Sequence, residues 1–195
     1  METSINVNQE LKVARKKAAK PMLWISLISM TMMFAGLVSA YVISSNREDW
    51  VTFQLPNALV TSTVLIVISS ITVHAALYFA KKENKNIASL LLLLTLGLGI
   101  GFVVSQFQGF DELRQSGLFF TGPKSLISSS MMMVIVFAHL LHIFVAVVVL
   151  IVMLIKQLLG KYDDGNTLGL ELGTIFWHFL DLLWIALFLF FYFNT

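Results

Sequence analysis

Five long apolar runs, separated by short polar stretches, dominate the sequence. They lie at about 22–45, 57–80, 87–107, 126–155 and 171–193. Each run has the roughly 20 residues that a helix needs to cross the hydrocarbon core of a bilayer. No run shows the alternation of apolar and polar residues that is typical of a barrel strand. The pattern therefore predicts an all-α, polytopic bundle of five transmembrane helices over residues 22–195, preceded by a basic tail over residues 1–21.

Composition agrees with a membrane protein and excludes several kinds of chemistry. The chain is 57% hydrophobic and 12% charged, about half the charged fraction of a typical soluble domain. It has no cysteine, which excludes disulfides, thiolate metal sites and cysteine-based catalysis. The small net charge of +2 gives no reason to expect nucleic-acid binding, because the basic residues have a membrane explanation.

The lysines and arginines are distributed unevenly between the two sides of the predicted bundle. Ten of the thirteen lie in the tail and in the loops that follow the second and fourth spans, whereas Arg47, Arg114 and Lys124 lie on the other side. Cytoplasmic segments of membrane proteins are enriched in Lys and Arg. We therefore expect a cytoplasmic N-terminus and a periplasmic C-terminus. The basic stretch 12–20 either contacts anionic lipid headgroups as well or serves only as this orientation signal.

Ionisable residues within the spans are few, and they are the candidate functional residues. Among the acids, Glu171 and Asp181 lie in a span, where a charged side chain costs about 2.5–3.5 kcal/mol on insertion scales. All histidines lie in spans: His74, His139, His142 and His178.

The last span concentrates these residues on one face. His178 and Asp181 are three residues apart and share a helix face, while Glu171 lies two turns before His178 and Trp177 and Trp184 flank the same stripe. Such residues almost always face protein rather than lipid. The stripe is therefore expected to point toward neighbouring helices and to form interhelical pairs.

The fourth span carries His139 and His142, again three residues apart. Such a pair can hold a metal together with acids from another helix, or can bind haem. The interpretation that we favour is that each imidazole hydrogen-bonds a neighbouring helix, with an acid of the last span as a natural partner, because no HxxxH or ExxH motif supplies further ligands. His74, near the inner end of the second span, is expected to lie at the membrane interface.

Small residues indicate where helices approach one another. Gly97 and Gly101 have GxxxG spacing, and Ala35 with Ser39 repeats the small-xxx-small pattern. Such pairs let helix backbones come close in lipid, although the motif is common in membrane bundles.

Four segments resemble subunit III of the haem-copper respiratory oxidases, the cytochrome c oxidase subunit III family. The run "WHFLDLLWIALFLFFYF" is similar to that family's closing helix, and "HLLHIFVAVVVLIVML" to the preceding one. "MMFAGLVSAYV" resembles the segment after the family's intramembrane glutamate, and "SQFQGFDELRQSGLFFTG" a loop after the third of these helices. The resemblance covers about residues 22–193.

This resemblance implies a subunit of a proton-pumping terminal oxidase in the bacterial cytoplasmic membrane. In this family subunit III carries no haem and no copper. It packs against subunit I, and the haems and copper lie in subunits I and II, with a small subunit IV and a larger respiratory supercomplex as further partners. The implied roles are support of proton uptake, protection of the oxidase during turnover, and oxygen delivery through bound phospholipid. Glu171, His178 and Asp181 match the family's last-helix polar residues, and His139 and His142 match its fourth-span pair.

The chain departs from the family pattern in two respects. It has five predicted helices where long members have seven, so the first two are missing, together with one side of the family's lipid cleft. We expect another subunit to cover the exposed face. Met30 also stands where the family usually has its buried glutamate, so a role that needs this carboxylate is not expected here.

Other functions remain open from the residues alone. Within the same family, the chain could belong to a quinol oxidase or to a nitric-oxide-reductase-associated relative. An independent membrane metalloenzyme would use the histidines and acids as ligands and would retain metal when isolated. A proton-coupled transporter could use the His-Asp pair, but transporters usually show internal repeats and broken helices. Here Pro21, Pro56 and Pro123 all lie at span edges or in loops.

Overall fold

The structure is a computed structural model that describes residues 2–48, 50–51, 53, 55–118, 120, 126–162 and 167–194, with the backbone alone for residues 2–12 and 15. The described residues form five helices: α1 (Glu2–Ser44), α2 (Asn57–Lys81), α3 (Lys85–Gln115), α4 (Ile127–Leu158) and α5 (Leu168–Asn194). All five are long and apolar enough to cross a membrane, α1 through its segment Lys16–Ser44. The prediction of an all-α bundle of five transmembrane helices is confirmed. Lys124 and the side chains of Lys12 and Arg15, which entered the charge count, lie outside the described part.

Two helices extend further than their apolar runs. The basic tail is continuous with the first span in α1, and Pro21 lies inside this helix. Helix α3 continues beyond its apolar run to Gln115, so Asp111 and Glu112 are helical rather than part of a loop. Their side chains are exposed. A helix can continue into the polar interface after its apolar residues end, because water and headgroups solvate the charged side chains there.

Helices α2 to α5 close into a ring. Helix α2 packs on α3, α3 on α4, α4 on α5, and α5 back on α2. Apart from Ser105, the buried positions of α3 alternate in steps of four and three residues: Ala88, Leu92, Thr95, Gly99, Phe102, Gln106, Gly109 and Leu113. This repeat of seven residues is typical of left-handed helix packing with knobs-into-holes contacts.

Helix α1 packs outside this ring. Within the described residues, it contacts α4 and α5. Its buried positions Leu27, Phe34 and Tyr41 are each seven residues apart and at most 3% exposed. Most of its other side chains are open to the surroundings. Helix α1 therefore uses a narrow seam and leaves a wide apolar face uncovered within this chain.

Candidate functional site

The polar stripe of α5 points into the bundle. Trp177 and Trp184 are 1% exposed and Asp181 is 3% exposed. Leu170 is also buried and lies seven residues before Trp177, which in turn lies seven residues before Trp184. The three side chains therefore form one buried line along α5. The opposite face of α5 carries exposed apolar side chains. The stripe therefore contacts helices of this same chain.

The two tryptophans bind hydroxyl groups of α2. The indole Nε1 of Trp177 donates a hydrogen bond to Ser69 Oγ at 3.0 Å, and that of Trp184 donates to Thr63 Oγ1 at 3.1 Å. The Ser69 hydroxyl donates to the backbone oxygen of Ile66 at 2.7 Å, and the Thr63 hydroxyl to Leu59 at 2.8 Å. Each hydroxyl therefore accepts from α5 while its own proton is bound within α2.

Helix α2 also forms polar contacts with α3. Gln106 Nε2 donates to Ser62 Oγ at 2.7 Å, and the hydroxyls of Thr72 and Thr95 are 2.8 Å apart. Together with the two tryptophan contacts, these bonds make the serines and threonines of α2 a hydroxyl ladder that joins three helices. This ladder was not predicted from the sequence. Its signal was the cluster of hydroxyl residues in the otherwise apolar run "TSTVLIVISSIT" at 61–72.

A fifth rung of the hydroxyl ladder joins α2 to the histidine and the acid of α5. Ser70 Oγ and His178 Nδ1 share a hydrogen bond of 2.6 Å. The same hydroxyl lies beside the Asp181 carboxyl group, although neither carboxyl oxygen completes a hydrogen bond with a described residue. His74 lies next to His178, with 5.7 Å between ring centroids. Both histidines line an opening of about 430 Å³ on the α2–α5 surface. The prediction that His74 lies at the membrane interface did not include its contact with His178.

The expected pairing between the α5 acid and the α4 histidines is wrong. His139 is completely buried, and neither of its ring nitrogens has a hydrogen-bond partner among the described residues. It stacks instead on Trp184, with 5.2 Å between ring centroids and 30° between planes. His142 Nδ1 bonds the backbone oxygen of Ala138 at 2.7 Å. Helix α1 places Phe34 against both imidazoles, and Phe102 of α3 also contacts His139.

Glu171 binds two lysines at the end of the bundle where α5 begins. Its carboxylate oxygens lie 3.0 Å from Lys20 Nζ and 2.8 Å from Lys81 Nζ. These ion pairs connect α1, α2 and α5. The positive charges of the two lysines thus balance the negative charge of Glu171 at the start of α5.

Met30 and the metal-ligating types of side chain complete the survey of the predicted site residues. Within the described ranges, no three His, Asp or Glu side chains come together in an arrangement that could hold a metal ion. Met30, at the family's glutamate position, is half-buried and packs against the apolar core. The adjacent Thr31 hydroxyl donates to its own helix, to Leu27 O at 2.9 Å.

The close helix contacts involve one of the two predicted glycines and others that were not predicted. Gly97 is exposed, and a Cβ atom added there would meet nothing within 4 Å. The glycine two residues later, Gly99, lies against the Trp177 ring, while Gly109 faces Leu59. On α5, a Cβ at Gly173 would meet Met153. Of the two predicted glycines, Gly101 does contact α2, because a Cβ there would lie 3.7 Å from Leu65 Cδ1, whereas Gly97 does not.

Comparisons with known proteins agree with this architecture. The family model described as cytochrome c oxidase subunit III matches residues 2–195. The cytochrome bo(3) ubiquinol oxidase subunit 3 of Buchnera aphidicola is 28% identical over 88% of this chain and 92% of its own length. The probable quinol oxidase subunit 3 of Staphylococcus saprophyticus is 26% identical over 85% of this chain and 83% of that protein. The cytochrome c oxidase subunit 3 of Corynebacterium diphtheriae is 28% identical over 83% and 81%, respectively. A family match over nearly the full chain, carried on five membrane-spanning helices, shows that this chain belongs to the cytochrome c oxidase subunit III family.

Proposed function

We propose that this chain is the non-redox subunit III of a haem-copper terminal oxidase in the bacterial cytoplasmic membrane, where it supports proton uptake, oxygen and lipid access, and stability of the catalytic subunit during turnover. The haems and copper of the complex lie in subunits I and II. Subunit I is the main contact of this chain, and subunit II and a small subunit IV are further neighbours.

The hydroxyl ladder is the observation that carries this proposal. Three polar side chains of α5, those of Trp177, Trp184 and His178, are hydrogen-bonded to α2 of the same chain. In lipid, interhelical hydrogen bonds contribute about 0.6 kcal/mol each on average. Several such bonds around one ring hold a rigid unit together, and a rigid unit of this kind suits a subunit that acts through its contacts with a redox partner.

The face available to a partner is also distinctive. His74 and His178 line an opening at the α2–α5 surface, and α1 leaves most of its surface uncovered. Exposed imidazoles within a span are costly toward lipid. We propose that a helix of a neighbouring oxidase subunit covers each of these faces.

A comparison of complexes with and without this chain tests the proposed role. The complex that lacks the chain should begin oxygen consumption at a rate near that of the intact complex and should lose activity sooner during turnover. Trp184→Leu removes a hydrogen bond to the hydroxyl ladder and should shorten the active lifetime of the complex. Phe144→Leu, at a position that is 68% exposed, should leave this lifetime unchanged. Equal lifetimes with and without the chain, or a stable isolated chain that bears its own iron or copper, would contradict the proposal.

Topology can be tested with introduced cysteines, because the chain has none of its own. A membrane-impermeant maleimide added to spheroplasts should label Ser116→Cys, at the end of α3, and spare Lys161→Cys, after α4. Lysis should then expose the second position. The opposite labelling pattern would reverse the proposed cytoplasmic N-terminus.

The electron donor defines a second candidate within the same family. The names of the relatives include ubiquinol and quinol oxidases as well as a cytochrome c oxidase, at 26–28% identity. A quinol oxidase is favoured as the alternative because several of these relatives carry that name. The purified complex should then oxidise ubiquinol and not ferrocytochrome c, and the reverse result would exclude it.

A further inference from the structure

Helix α2 keeps a row of side chains uncovered on its outer surface. The exposed positions of this outer row alternate in steps of four and three residues: Val60, Val64, Val67, Ile71, His74 and Tyr78. The same spacing is found along the contact between neighbouring helices in membrane bundles and coiled coils. The outer row therefore has the geometry of a contact for one more helix.

His74 is the member of the outer row that lipid suits least. It precedes Lys81, the last residue of α2, by seven residues, which corresponds to about 10 Å along the helix axis. Valine and isoleucine side chains are no better off against protein than against lipid tails. Ionisable side chains within a span, in contrast, almost always face protein or a water-filled cavity. His74 therefore indicates that protein covers the outer row.

The hydrogen-bonding capacity around His74 is not used up by the described residues of this chain. His178 Nδ1 is bonded to Ser70, and the structure shows no further bond from this ring. His74 contacts the His178 ring but makes no hydrogen bond to a described residue. The Asp181 carboxyl group is buried and does not line the opening. Two adjacent imidazoles can therefore still bond a group from outside.

A carboxyl group is the side chain that fits this pair of imidazoles. The ring centroids of His74 and His178 are 5.7 Å apart, so the two oxygens of one carboxyl group can reach both rings. A carboxylate accepts hydrogen bonds from ring N–H groups, and a protonated carboxyl group can also donate to a bare ring nitrogen. The pairing therefore suits either tautomer of each histidine.

The charge near the opening favours the same group. Lys82 Nζ lies 4.5 Å from the ring centroid of Tyr78, which lines the opening. Glu171 is already paired with two lysines. At this end of the described bundle, four lysines around α2 face two acids: Lys20, Lys81, Lys82 and Lys85 against Glu83 and Glu171. Complementary charge guides the choice of partner, so an acid is favoured over an amide or a cation.

We propose that a transmembrane helix of the catalytic oxidase subunit packs along the outer row of α2 and places one aspartate or glutamate on His74 and His178. A polar residue at a single position of an apolar helix contact fixes the register of the two helices. His74 therefore selects both the partner helix and its height in the membrane. This inference rests on the proposed function, which supplies the partner subunit.

Purification of the oxidase complex through a tag on this chain tests the contact, with haem content as the measure of the retained catalytic subunit. His74→Leu should lower this retention by about 3- to 20-fold, the range that one interhelical hydrogen bond gives. Its side chain is exposed, so the substitution should leave the bundle folded. His74→Lys should retain the catalytic subunit, because an ammonium group also pairs with a carboxylate.

The same lysine variant identifies the acid. A membrane-permeant carbodiimide activates a carboxyl group, and an amine in contact with it then forms an amide. His74→Lys should become linked to one aspartate or glutamate within a span of the catalytic subunit, located by peptide mass spectrometry. Leu93→Lys is the matched control, because Leu93 is 59% exposed on α3 and lies at a similar distance from the same end of the bundle. It should not form this link.

Several results would overturn the proposal. They are equal retention by His74→Leu and wild type, the absence of an amide in His74→Lys, and an amide to a second copy of this chain. Formation of the same link by Leu93→Lys would overturn it too, because the contact would then not be specific to the outer row. A wild-type preparation without haem would contradict the proposed function instead, so the two failures can be told apart.

Discussion

Gly99→Ala adds one methyl group where α3 meets α5, and its effect can be worked out from the structure. A Cβ atom at this position would lie 2.7 Å from Cη2 and 3.3 Å from Cζ2 of Trp177. The ring is 1% exposed, and its Nε1 is bonded to Ser69. The indole therefore cannot move aside without breaking a hydrogen bond or displacing buried neighbours.

Two opposing contributions set the magnitude. Overpacking of this kind typically costs about 1–3 kcal/mol, because the ring must move by about 0.7 Å to restore an ordinary contact. Alanine in place of glycine within a helix contributes about 0.5–1 kcal/mol in the other direction. Gly97→Ala gains the helix stabilisation without the overpacking cost, since its Cβ would meet nothing within 4 Å. The free energy of unfolding of Gly99→Ala should therefore be lower than that of Gly97→Ala by about 1–3 kcal/mol.

Reversible denaturant unfolding in detergent micelles, followed by circular dichroism, measures this difference. Trp177→Phe provides a second test, because phenylalanine lacks the indole carbons that the added methyl group would meet. In that background the two alanine variants should become nearly equal in stability. If Gly99→Ala is as stable as Gly97→Ala in the wild-type background, the contact between Gly99 and Trp177 is not as described. If the penalty persists with phenylalanine, its origin lies elsewhere.

Two further predictions concern the ionisable residues of α5. Glu171→Gln removes the ion pairs to Lys20 and Lys81, which are partly exposed, so the free energy of unfolding should fall by about 1 kcal/mol or less. The difference from wild type should shrink in high salt, and a salt-independent effect would show that the pairs are not its cause. Asp181→Leu replaces a buried carboxyl group that has no hydrogen-bond partner among the described residues by a side chain of similar volume. It should stabilise the isolated chain by about 1–3 kcal/mol in the same unfolding assay, and a destabilised variant would mean that the carboxyl group is satisfied by a group such as a buried water.

Much of the fold could be predicted from the sequence because it follows from one strong constraint. A lipid-exposed backbone must satisfy its own hydrogen bonds, so apolar runs of sufficient length form helices. The five apolar runs accordingly correspond to five helices. The inward orientation of Trp177 and Asp181 followed from the cost of exposing polar groups to lipid. Helix ends were less predictable, since nothing in the apolar pattern limits how far α3 continues into the interface.

The partners of the polar residues could not be predicted from the sequence. The acid of α5 was expected to meet the imidazoles of α4, yet the bonds run from α5 to Ser69, Ser70 and Thr63 of α2. Hydroxyl side chains are weak sequence signals, because in apolar helices they also bond their own backbone. Which helices are neighbours depends on the closure of the ring, and the sequence pattern of single spans does not contain that information. The role of the α5 and α4 residues in subunit contacts stays a prediction.

The closed ring of α2 to α5 has a consequence for how much change the chain would tolerate at its periphery. Each of the four helices already has two neighbours within the ring, and α1 touches it along a single seam. Helices added or lost before α1 would alter the periphery without opening the interior. The same self-sufficient centre would therefore tolerate variation at its margin, which is where other chains of an assembly would pack.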